Sequence, residues 1–231
     1  MAAQKLLEHA LSEGRKNLLE PEAYEILSSY SIPICPYKVV DSIEEAESAA
    51  NSIGYPIVVK IVSPDIIHKS DIGGVRIGIK DEQQLKEDYA SLLDDVREKA
   101  PSARIVGVLV EKMAPKSVEV VVGMLRDPTF GPAVMFGLGG VLIEIMKDVI
   151  FRITPVSKEE AIDMIKKVKG YPLLSGFRGS KPLDVDAIAD VICNVSRIST
   201  ENPVIDQVDL NPVIVYEKGL VVVDARIILK A

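Results

Sequence analysis

Apolar and polar positions alternate along the first half of the chain with two different periods. Apolar residues spaced three or four apart predict helices, because this spacing puts them on one face. Short apolar runs bounded by glycine or proline predict strands. The predicted helices are Gln4–Gly14, Glu20–Tyr30, a segment capped by Asp41 or Ser42 that runs to Ile53, and Glu82–Lys99. The predicted strands are Tyr37–Val40, Ile57–Val62, Val75–Ile79 and Ile105–Val110.

The second half has the same mixture and ends in a predicted β-hairpin. The predicted strands are Val118–Met124, Phe130–Phe136 and the hairpin strands Val204–Val215 and Leu220–Ile228. The predicted helices are Ser157–Val168, which opens with a capping box, and Asp184–Thr200. Because many strands follow one another directly, the pattern predicts an α+β (mixed α/β) fold. The stretch between Val110 and Val118 has the weakest pattern of predicted structure, and we expect it to separate two lobes.

Composition and charge exclude several classes of function. The 231 residues carry a net charge of -7, and no Lys/Arg-rich run stands out, which argues against nucleic acid as a partner. The two cysteines, Cys35 and Cys193, form neither a metal-binding pattern nor a disulfide framework. The apolar stretch Pro132–Phe151 is interrupted by glycine, proline and charge, so it predicts a strand, a loop and then a helix or strand, not a membrane span. These features predict a soluble cytoplasmic protein.

Lys60 interrupts the apolar strand Ile57–Val62. A charge is costly in such a strand unless an anion meets it. One interpretation is a lysine that binds the phosphates of a nucleotide as a point charge. The alternative is an edge-strand lysine that prevents aggregation.

A second group of candidates is Glu111-Lys112-Met113 together with Glu119. A strand that ends in a hinge between two lobes can offer backbone N–H and C=O groups to an adenine edge. A glutamate one strand further on can accept hydrogen bonds from ribose hydroxyls. The alternative is a pair of solvated glutamates on either side of a turn.

Three oxygen-bearing side chains lie on the closing hairpin: Asp209, Asn211 and Asp224. Asp209 and Asn211 are two residues apart and share one face of a strand. A simple register puts Asp224 opposite Pro212, whereas a one-residue bulge puts it opposite Asn211. Such oxygen ligands predict a hard cation such as Mg²⁺, and ordinary polar outer-face residues are the alternative.

His68 is one of two histidines and lies in a polar loop after the Lys60 strand. An imidazole there can act as a nucleophile toward phosphorus or as a proton shuttle. Gly73 and Gly74 follow, and we expect them to let the loop change position. Gly137, Gly139 and Gly140 predict a loop that can cradle phosphate, although a glycine-rich turn alone is a weak signal.

The order of these features resembles the ATP-grasp fold, with two lobes and the nucleotide site between them. The segments PIVVKIVSPDIIHKSDIGGV, EVVVGMLRDPTFGPAVMFGLGG, PLLSGFRG and DQVDLNPVIV resemble the β subunit of ADP-forming acetyl-CoA synthetases, which are NDP-forming acyl-CoA synthetases. The likeness covers essentially the whole chain. It implies a leading helix at residues 1–20, an N-terminal lobe with the His68 loop at 21–110, and a C-terminal lobe with the metal-binding hairpin at 111–231.

The resemblance also implies roles for individual residues. Nucleotide binding would fall to Lys60, Glu111, Lys112, Met113, Glu119, Gly137, Gly139 and Gly140. Asn211 and Asp224 would bind Mg²⁺ with ATP or ADP. His68 would be phosphorylated transiently, and Asp209 would either orient His68 or join the metal shell.

The implied reaction is acyl-CoA + ADP + phosphate ⇌ acid + CoA + ATP, with a phosphoryl group passed from a phosphohistidine on a separate subunit. The chain has no CoA-binding Rossmann fingerprint, so a CoA-binding α subunit is expected in an α2β2 heterotetramer. Two alternatives remain open. A self-contained ATP-grasp carboxylate ligase would not need His68, and a non-catalytic regulatory subunit would bind nucleotide without forming a phosphoenzyme.

Overall fold

The computed structural model describes residues 2–140, 148–177 and 179–230. The chain divides into two compact units. The central unit is Cys35–Pro115, and the flanking unit combines Met1–Ile34 with Lys116–Ala231. Residues 141–147, which follow the predicted glycine loop, and Arg178 of the PLLSGFRG segment lie outside the described residues.

The central unit is an antiparallel sheet with two helices. Helices α1 (Ala2–Ser12) and α2 (Glu20–Ser29) precede it in the chain and belong to the flanking unit. The elements of the central unit are β1 (Tyr37–Val40), α3 (Ile43–Ile53), β2 (Ile57–Val62), a short 3₁₀ turn (Ser70–Ile72), β3 (Val75–Ile79), α4 (Glu82–Lys99) and β4 (Gly107–Lys112). The sheet has the strand order β1-β4-β2-β3.

Helices α3 and α4 cover one face of this sheet. Their N-termini are capped by Ser42 and Asp81, whose side chains accept hydrogen bonds from backbone N–H groups three residues further on. Alternate residues of β2 point to this face and pack against the buried side chains of both helices. The remaining β2 residues, Val58 and Lys60 among them, therefore lie on the opposite face.

The flanking unit is built on a larger antiparallel sheet. The remaining elements of this unit are β5 (Val118–Asp127), β6 (Gly131–Leu138), β7 (Val149–Ile153), α5 (Lys158–Lys167), α6 (Pro172–Ser175), α7 (Val185–Glu201), β8 (Ile205–Val215), β9 (Leu220–Val222) and β10 (Ala225–Leu229). The strand order of the sheet is β10-β8-β5-β6-β7, and β9 also pairs with β8. Helix α7 packs on β5, β6 and β8, and α5 packs on α7 and β7.

The N-terminal segment belongs to the flanking unit because it pairs with the closing hairpin. The N–H of Leu18 donates to the carbonyl of Ile227 over 3.0 Å, and the N–H of Val222 donates to the carbonyl of Pro33 over 2.9 Å. Strand β4 runs on to Lys112, so Glu111 lies in the central sheet. The structural units therefore begin and end at other residues than the predicted boundaries at 20 and 110.

Most predicted elements are present with small shifts at their ends. Strand β4 begins and ends two residues later than predicted, and the predicted closing strand Leu220–Ile228 is divided into β9 and β10. The described residues of the segment Pro132–Phe151 include most of β6 and the first part of β7. In the part of the chain that the structure describes, no helix is long and apolar enough to cross a membrane.

Candidate functional site

Lys60 and Glu111 form a buried ion pair on neighbouring strands of the central sheet. Lys60 is opposite Leu109 and Glu111 is opposite Val58, so the two charged side chains are diagonal neighbours on one face. Their Nζ and Oε2 atoms are 2.7 Å apart, and the side chains are only 8% and 2% exposed. This is the face that helices α3 and α4 do not cover.

The position of Lys60 excludes one of its two predicted interpretations. Strand β2 lies between β4 and β3, so Lys60 does not protect a sheet edge and the edge-strand interpretation is wrong. A buried charge requires a compensating partner, which Glu111 supplies. An ammonium group has three donors, so it can bind a carboxylate and an anionic ligand together.

The predicted adenine hinge, Glu111 to Met113, has its amide donors engaged inside the central unit. The N–H groups of Lys112 and Met113 donate to the carbonyls of Pro36 and Pro56 over 2.9 and 3.1 Å. The Lys112 ammonium donates to two carbonyls of the α3–β2 loop over 2.8 and 2.9 Å. Lys112 thus fastens this loop to β4, a role that the sequence pattern did not indicate.

Cys35 is a buried thiol whose titration is coupled to the same charges. Burial, and after it the negative charge of Glu111, raise the pKa of the Cys35 thiol to about 12, against the opposing effect of Lys60. The thiol is therefore protonated at neutral pH. A protonated, buried thiol is a poor nucleophile, so Cys35 is a packing residue.

The His68 loop connects β2 to the 3₁₀ turn and is fixed at both ends. At its start, the Asp65 carboxylate accepts a hydrogen bond of 2.7 Å from the backbone N–H of Arg104. At its end, the N–H of Gly74 donates to the carbonyl of Lys69 over 2.7 Å. His68 lies between these two anchors and is exposed to solvent.

Gly73 and Gly74 serve close packing in this structure. Gly73 has a φ of +72°, and a Cβ there would lie 2.8 Å from a carboxylate oxygen of Asp95. A Cβ on Gly74 would lie 2.7 Å from the Cγ2 of Ile61. Each glycine lets the backbone approach a neighbour that a side chain would displace, and a role of the two glycines in moving the loop stays a prediction.

The closing hairpin puts Asn211 opposite Asp224. Leu210 pairs with Ala225, and the N–H of Asn211 then donates to the carbonyl of Asp224 over 3.2 Å. Of the two registers considered, the one with Asp224 opposite Pro212 is wrong. Both side chains of the Asn211–Asp224 pair are exposed.

This pair has the chemistry that a hard cation requires. An amide oxygen and a carboxylate are typical ligands of Mg²⁺, which usually keeps several water or phosphate ligands. Among the residues that the structure describes, no group of three His, Cys, Asp or Glu side chains could hold a metal ion. A cation bound here would therefore depend on ligand oxygens in addition to Asn211 and Asp224.

Asp209 pairs with a residue that the sequence reasoning missed. Arg226 is opposite Asp209, and its Nη2 atom lies 3.2 Å from a carboxylate oxygen of Asp209, with both side chains 36% exposed. Asp209 precedes Asn211 by two residues, and Arg226 follows Asp224 by two. In the sequence, the only sign of this pair was that Arg226 lies two residues after Asp224. That spacing indicates a contact with Asp209 only when the pairing of the two hairpin strands is known.

Gly139 and Gly140 pack against Glu119 at the end of β6. The N–H of Gly139 donates to the carbonyl of Glu119 over 2.7 Å, and a Cβ on Gly139 would lie 3.0 Å from the Glu119 backbone. Glu119 itself is exposed. Gly137 pairs with Val121 within the sheet, so it is a strand residue and not part of a loop.

Asp184 connects helix α7 to the hairpin turn. Its carboxylate accepts hydrogen bonds from the N–H groups of Ala187, over 3.0 Å, and Gly219, over 2.7 Å. The bond from Gly219, followed by the bond from Ala187, lowers the pKa of Asp184 below its usual value. Asp184 therefore helps to fix the hairpin turn next to the Asn211–Asp224 pair.

Comparison with known proteins assigns this arrangement to a class. A model of the ATP-grasp domain matches residues 9–229. The chain is 49% identical over 227 residues to the β subunit of acetate–CoA ligase [ADP-forming] I of Pyrococcus furiosus, covering 98% of this chain and 97% of the relative. It is 44% identical over 231 residues to the β subunit of isoform II of the same organism, covering 99% and 98%.

Solved structures of acetyl-coenzyme A synthetases are also similar to this chain over nearly its whole length. The acetyl-coenzyme A synthetase 1 of Ca. Korarchaeum cryptofilum, in complex with coenzyme A and Ca-AMPCP, has a chain with a TM-score of 0.96 and 49% identity, covering 99% of this chain and 100% of that one. Another structure of that protein contains Mg-AMPPCP and a phosphohistidine segment pointing towards the nucleotide binding site, with a TM-score of 0.87, 46% identity and coverage of 99% and 100%.

The chain is therefore an ATP-grasp protein with a nucleotide-binding fold. Within that class, it belongs to the family of β subunits of ADP-forming acetate–CoA ligases, which are acid–CoA ligases.

Proposed function

We propose that this chain performs the nucleotide half of the reaction acyl-CoA + ADP + phosphate ⇌ acid + CoA + ATP, with His68 as a transient phosphoryl carrier. A nitrogen of His68 attacks the phosphorus of a phosphohistidine on a partner, and the donor P–N bond breaks as the new one forms. A β-phosphate oxygen of ADP then displaces His68, which completes ATP. Family membership and the exposure of His68 on a loop fixed at both ends carry this proposal.

The nucleotide contacts follow from the chemistry of the predicted residues. Lys60 supplies a buried positive charge for phosphate oxygens, and Glu119 supplies an exposed carboxylate for ribose hydroxyls. Asn211 and Asp224 fit Mg²⁺, which would neutralise phosphate charge during transfer. The hinge would use carbonyl groups of Glu111 to Met113, because the N–H groups of Lys112 and Met113 already have partners.

The partner is proposed to be a CoA-binding α subunit in an α2β2 assembly in the cytoplasm. The acyl group would bind to that subunit. The relatives' names suggest acetate as the type of acid. Asp209 is proposed to act beside the cation, where its carboxylate pairs with Arg226. A histidine relay is useful when the acyl site is too far from the nucleotide for direct transfer, because it divides one transfer into separate steps.

The experiment incubates the purified chain with Mg²⁺ and γ-labelled ATP and measures acid-labile, base-stable label on the protein. Wild type is expected to be labelled and His68→Ala unlabelled. His9→Ala is the matched control, because His9 is the other histidine and is exposed on α1. The proposal fails if wild type remains unlabelled or if His68→Ala keeps the label.

The same variant separates the two alternatives. A self-contained carboxylate ligase would keep its activity in His68→Ala. A regulatory subunit would bind nucleotide in the wild type but would not become labelled, and its binding would not depend on Asp224.

A further inference from the structure

We propose that Arg226 is a catalytic residue that binds the phosphoryl end of a phosphorylated imidazole in an open cavity of the flanking unit. This inference rests on the proposed function and adds to it the place where the phosphoryl donor docks. The cavity has a volume of about 170 Å³. Its lining includes Gly123, Met135, Gln207, Asp209, Arg226 and Ile228.

Gly123 lines the cavity on the strand next to Asp209. Gly123 is opposite Asp209 on one side and Met135 on the other. A Cβ on Gly123 would lie 3.2 Å from the carbonyl of Val208 and 3.3 Å from the Met135 methyl group. Glycine therefore fits this crowded position, and it puts no side chain between Asp209 and Met135 across the strand.

Arg226 is held in a way that suits an arriving anion. Its one hydrogen bond among the described residues joins Nη2 to Asp209 over 3.2 Å. Arg126, in the same unit, instead donates to the carbonyls of Ile205 and Ser199 over 3.1 and 2.8 Å. A guanidinium has five donors in a planar fork that matches phosphate oxygens, so Arg226 can bind a phosphoryl group while Asp209 keeps it oriented.

Arg226 lies near Asn211 and Asp224, the predicted ligands of Mg²⁺. Residues two apart in an extended strand are about 7 Å from each other, and Arg226 follows Asp224 by two. A phosphoryl group between them would meet a cation on one side and a guanidinium on the other. Positioning and charge neutralisation of this kind are the main requirements of phosphoryl transfer.

The apolar lining completes the fit to a phosphorylated imidazole. Met135 and Ile228 border the cavity and can pack against the flat faces of an imidazole ring. In the transfer step the P–N bond breaks, a bond forms from phosphorus to a β-phosphate oxygen of ADP, and the imidazole leaves with the electron pair and takes a proton from water.

The test uses N-phosphoimidazole as the phosphoryl donor and MgADP as the acceptor, and follows ATP formation by the full chain without a partner. Wild type is expected to form ATP, and Arg226→Gln is expected to be slower by about 100-fold, as for loss of one oxyanion donor. The dissociation constant of MgADP, measured separately, is expected to stay within about twofold. Arg226→Lys is expected to recover part of the rate, because it keeps the charge but loses the fork.

Controls separate this role from a structural ion pair. Arg197→Gln removes an exposed pair of the same unit, with Glu201, and is expected to leave the rate unchanged. The inference is overturned if Arg226→Gln keeps the wild-type rate or acts by weakening MgADP binding. It is also overturned if wild type binds MgADP but makes no ATP, whereas a wild type that fails to bind MgADP contradicts the proposed function itself.

Discussion

Lys60 and Arg226 are two cations paired with carboxylates, but they are held in opposite ways. Lys60 lies on an interior strand of the central sheet, buried, 2.7 Å from Glu111. Arg226 lies on the closing hairpin of the flanking unit, a third exposed, and its one ion pair among the described residues is the 3.2 Å contact with Asp209. The first arrangement fixes a charge permanently in place, and the second leaves a charge available to a group that arrives and departs.

The difference has an energetic origin. Breaking a buried ion pair by removing one partner leaves an uncompensated charge in the interior, which costs about 3–5 kcal/mol. An exposed pair is worth only about 0–1 kcal/mol, so a ligand can replace it at little cost. We therefore expect the stability of this protein to respond strongly to Lys60 and weakly to Arg226, whereas phosphoryl transfer should depend on both.

The largest effect is expected for Lys60→Met. This change leaves Glu111 buried without its partner, and we expect the free energy of unfolding to fall by about 3–5 kcal/mol. Urea denaturation measures the loss, and titration with MgADP should show weakened binding.

The double variant Lys60→Met/Glu111→Leu is the control for this prediction. It removes both charges, so most of the stability should return while nucleotide binding stays weak. A loss below about 1 kcal/mol in the single variant would show that the pair behaves like a surface ion pair, and the comparison with Arg226 would fail.

A smaller effect is expected for Asp224→Ala. Loss of one hard-cation ligand should weaken the Mg²⁺-dependent part of ADP binding by about 10- to 100-fold and leave binding without Mg²⁺ unchanged. Calorimetric titration with and without Mg²⁺ measures this. Asp206→Ala, on the neighbouring strand β8, is the matched control, and equal effects of the two variants would remove Asp224 from the cation site.

The smallest effect is expected for Asp184→Ala, which removes the bonds from Ala187 and Gly219. We expect a loss of about 1 kcal/mol at pH 7. Because the folded pKa of Asp184 is lowered, its contribution is present above the unfolded pKa of about 3.9 and is lost as the pH falls through the folded pKa. Thermal unfolding of both proteins at pH 7 and below pH 4 should show the difference shrinking in acid, and a difference that grows in acid would contradict the assignment.

The sequence predicted local structure well where the chain itself carries the signal. Strands β2 and β3 were predicted to the residue, because apolar runs there are bounded by proline and glycine. The buried lysine was also identifiable, since a charge inside such a run requires a partner. That partner, Glu111, was predicted to bind nucleotide, but its contact with Lys60 depends on the pairing of β2 with β4 and could not be derived from either segment alone.

Features that depend on tertiary pairing were not predictable. The Asp209–Arg226 pair depends on the hairpin register, and two registers were compatible with the sequence. The pairing of Leu18 and Pro33 with the closing hairpin moved the N-terminal helices into the flanking unit, although no local pattern distinguishes them from a leading segment of the central unit. In both cases the information lies in contacts between residues distant in the chain.

The central claim, that His68 carries the phosphoryl group, is tested most directly by mapping the phosphorylated residue in the complex with the CoA-binding partner. Acyl-CoA and phosphate are supplied without ADP, and the protein is digested with trypsin at alkaline pH to preserve phosphohistidine. Cleavage after Lys60 and Lys69 releases residues 61–69, in which His68 is the one histidine. We predict an acid-labile phosphate on this peptide that disappears when ADP is added. Phosphate found solely on the partner, with ATP still formed after addition of ADP, would contradict it.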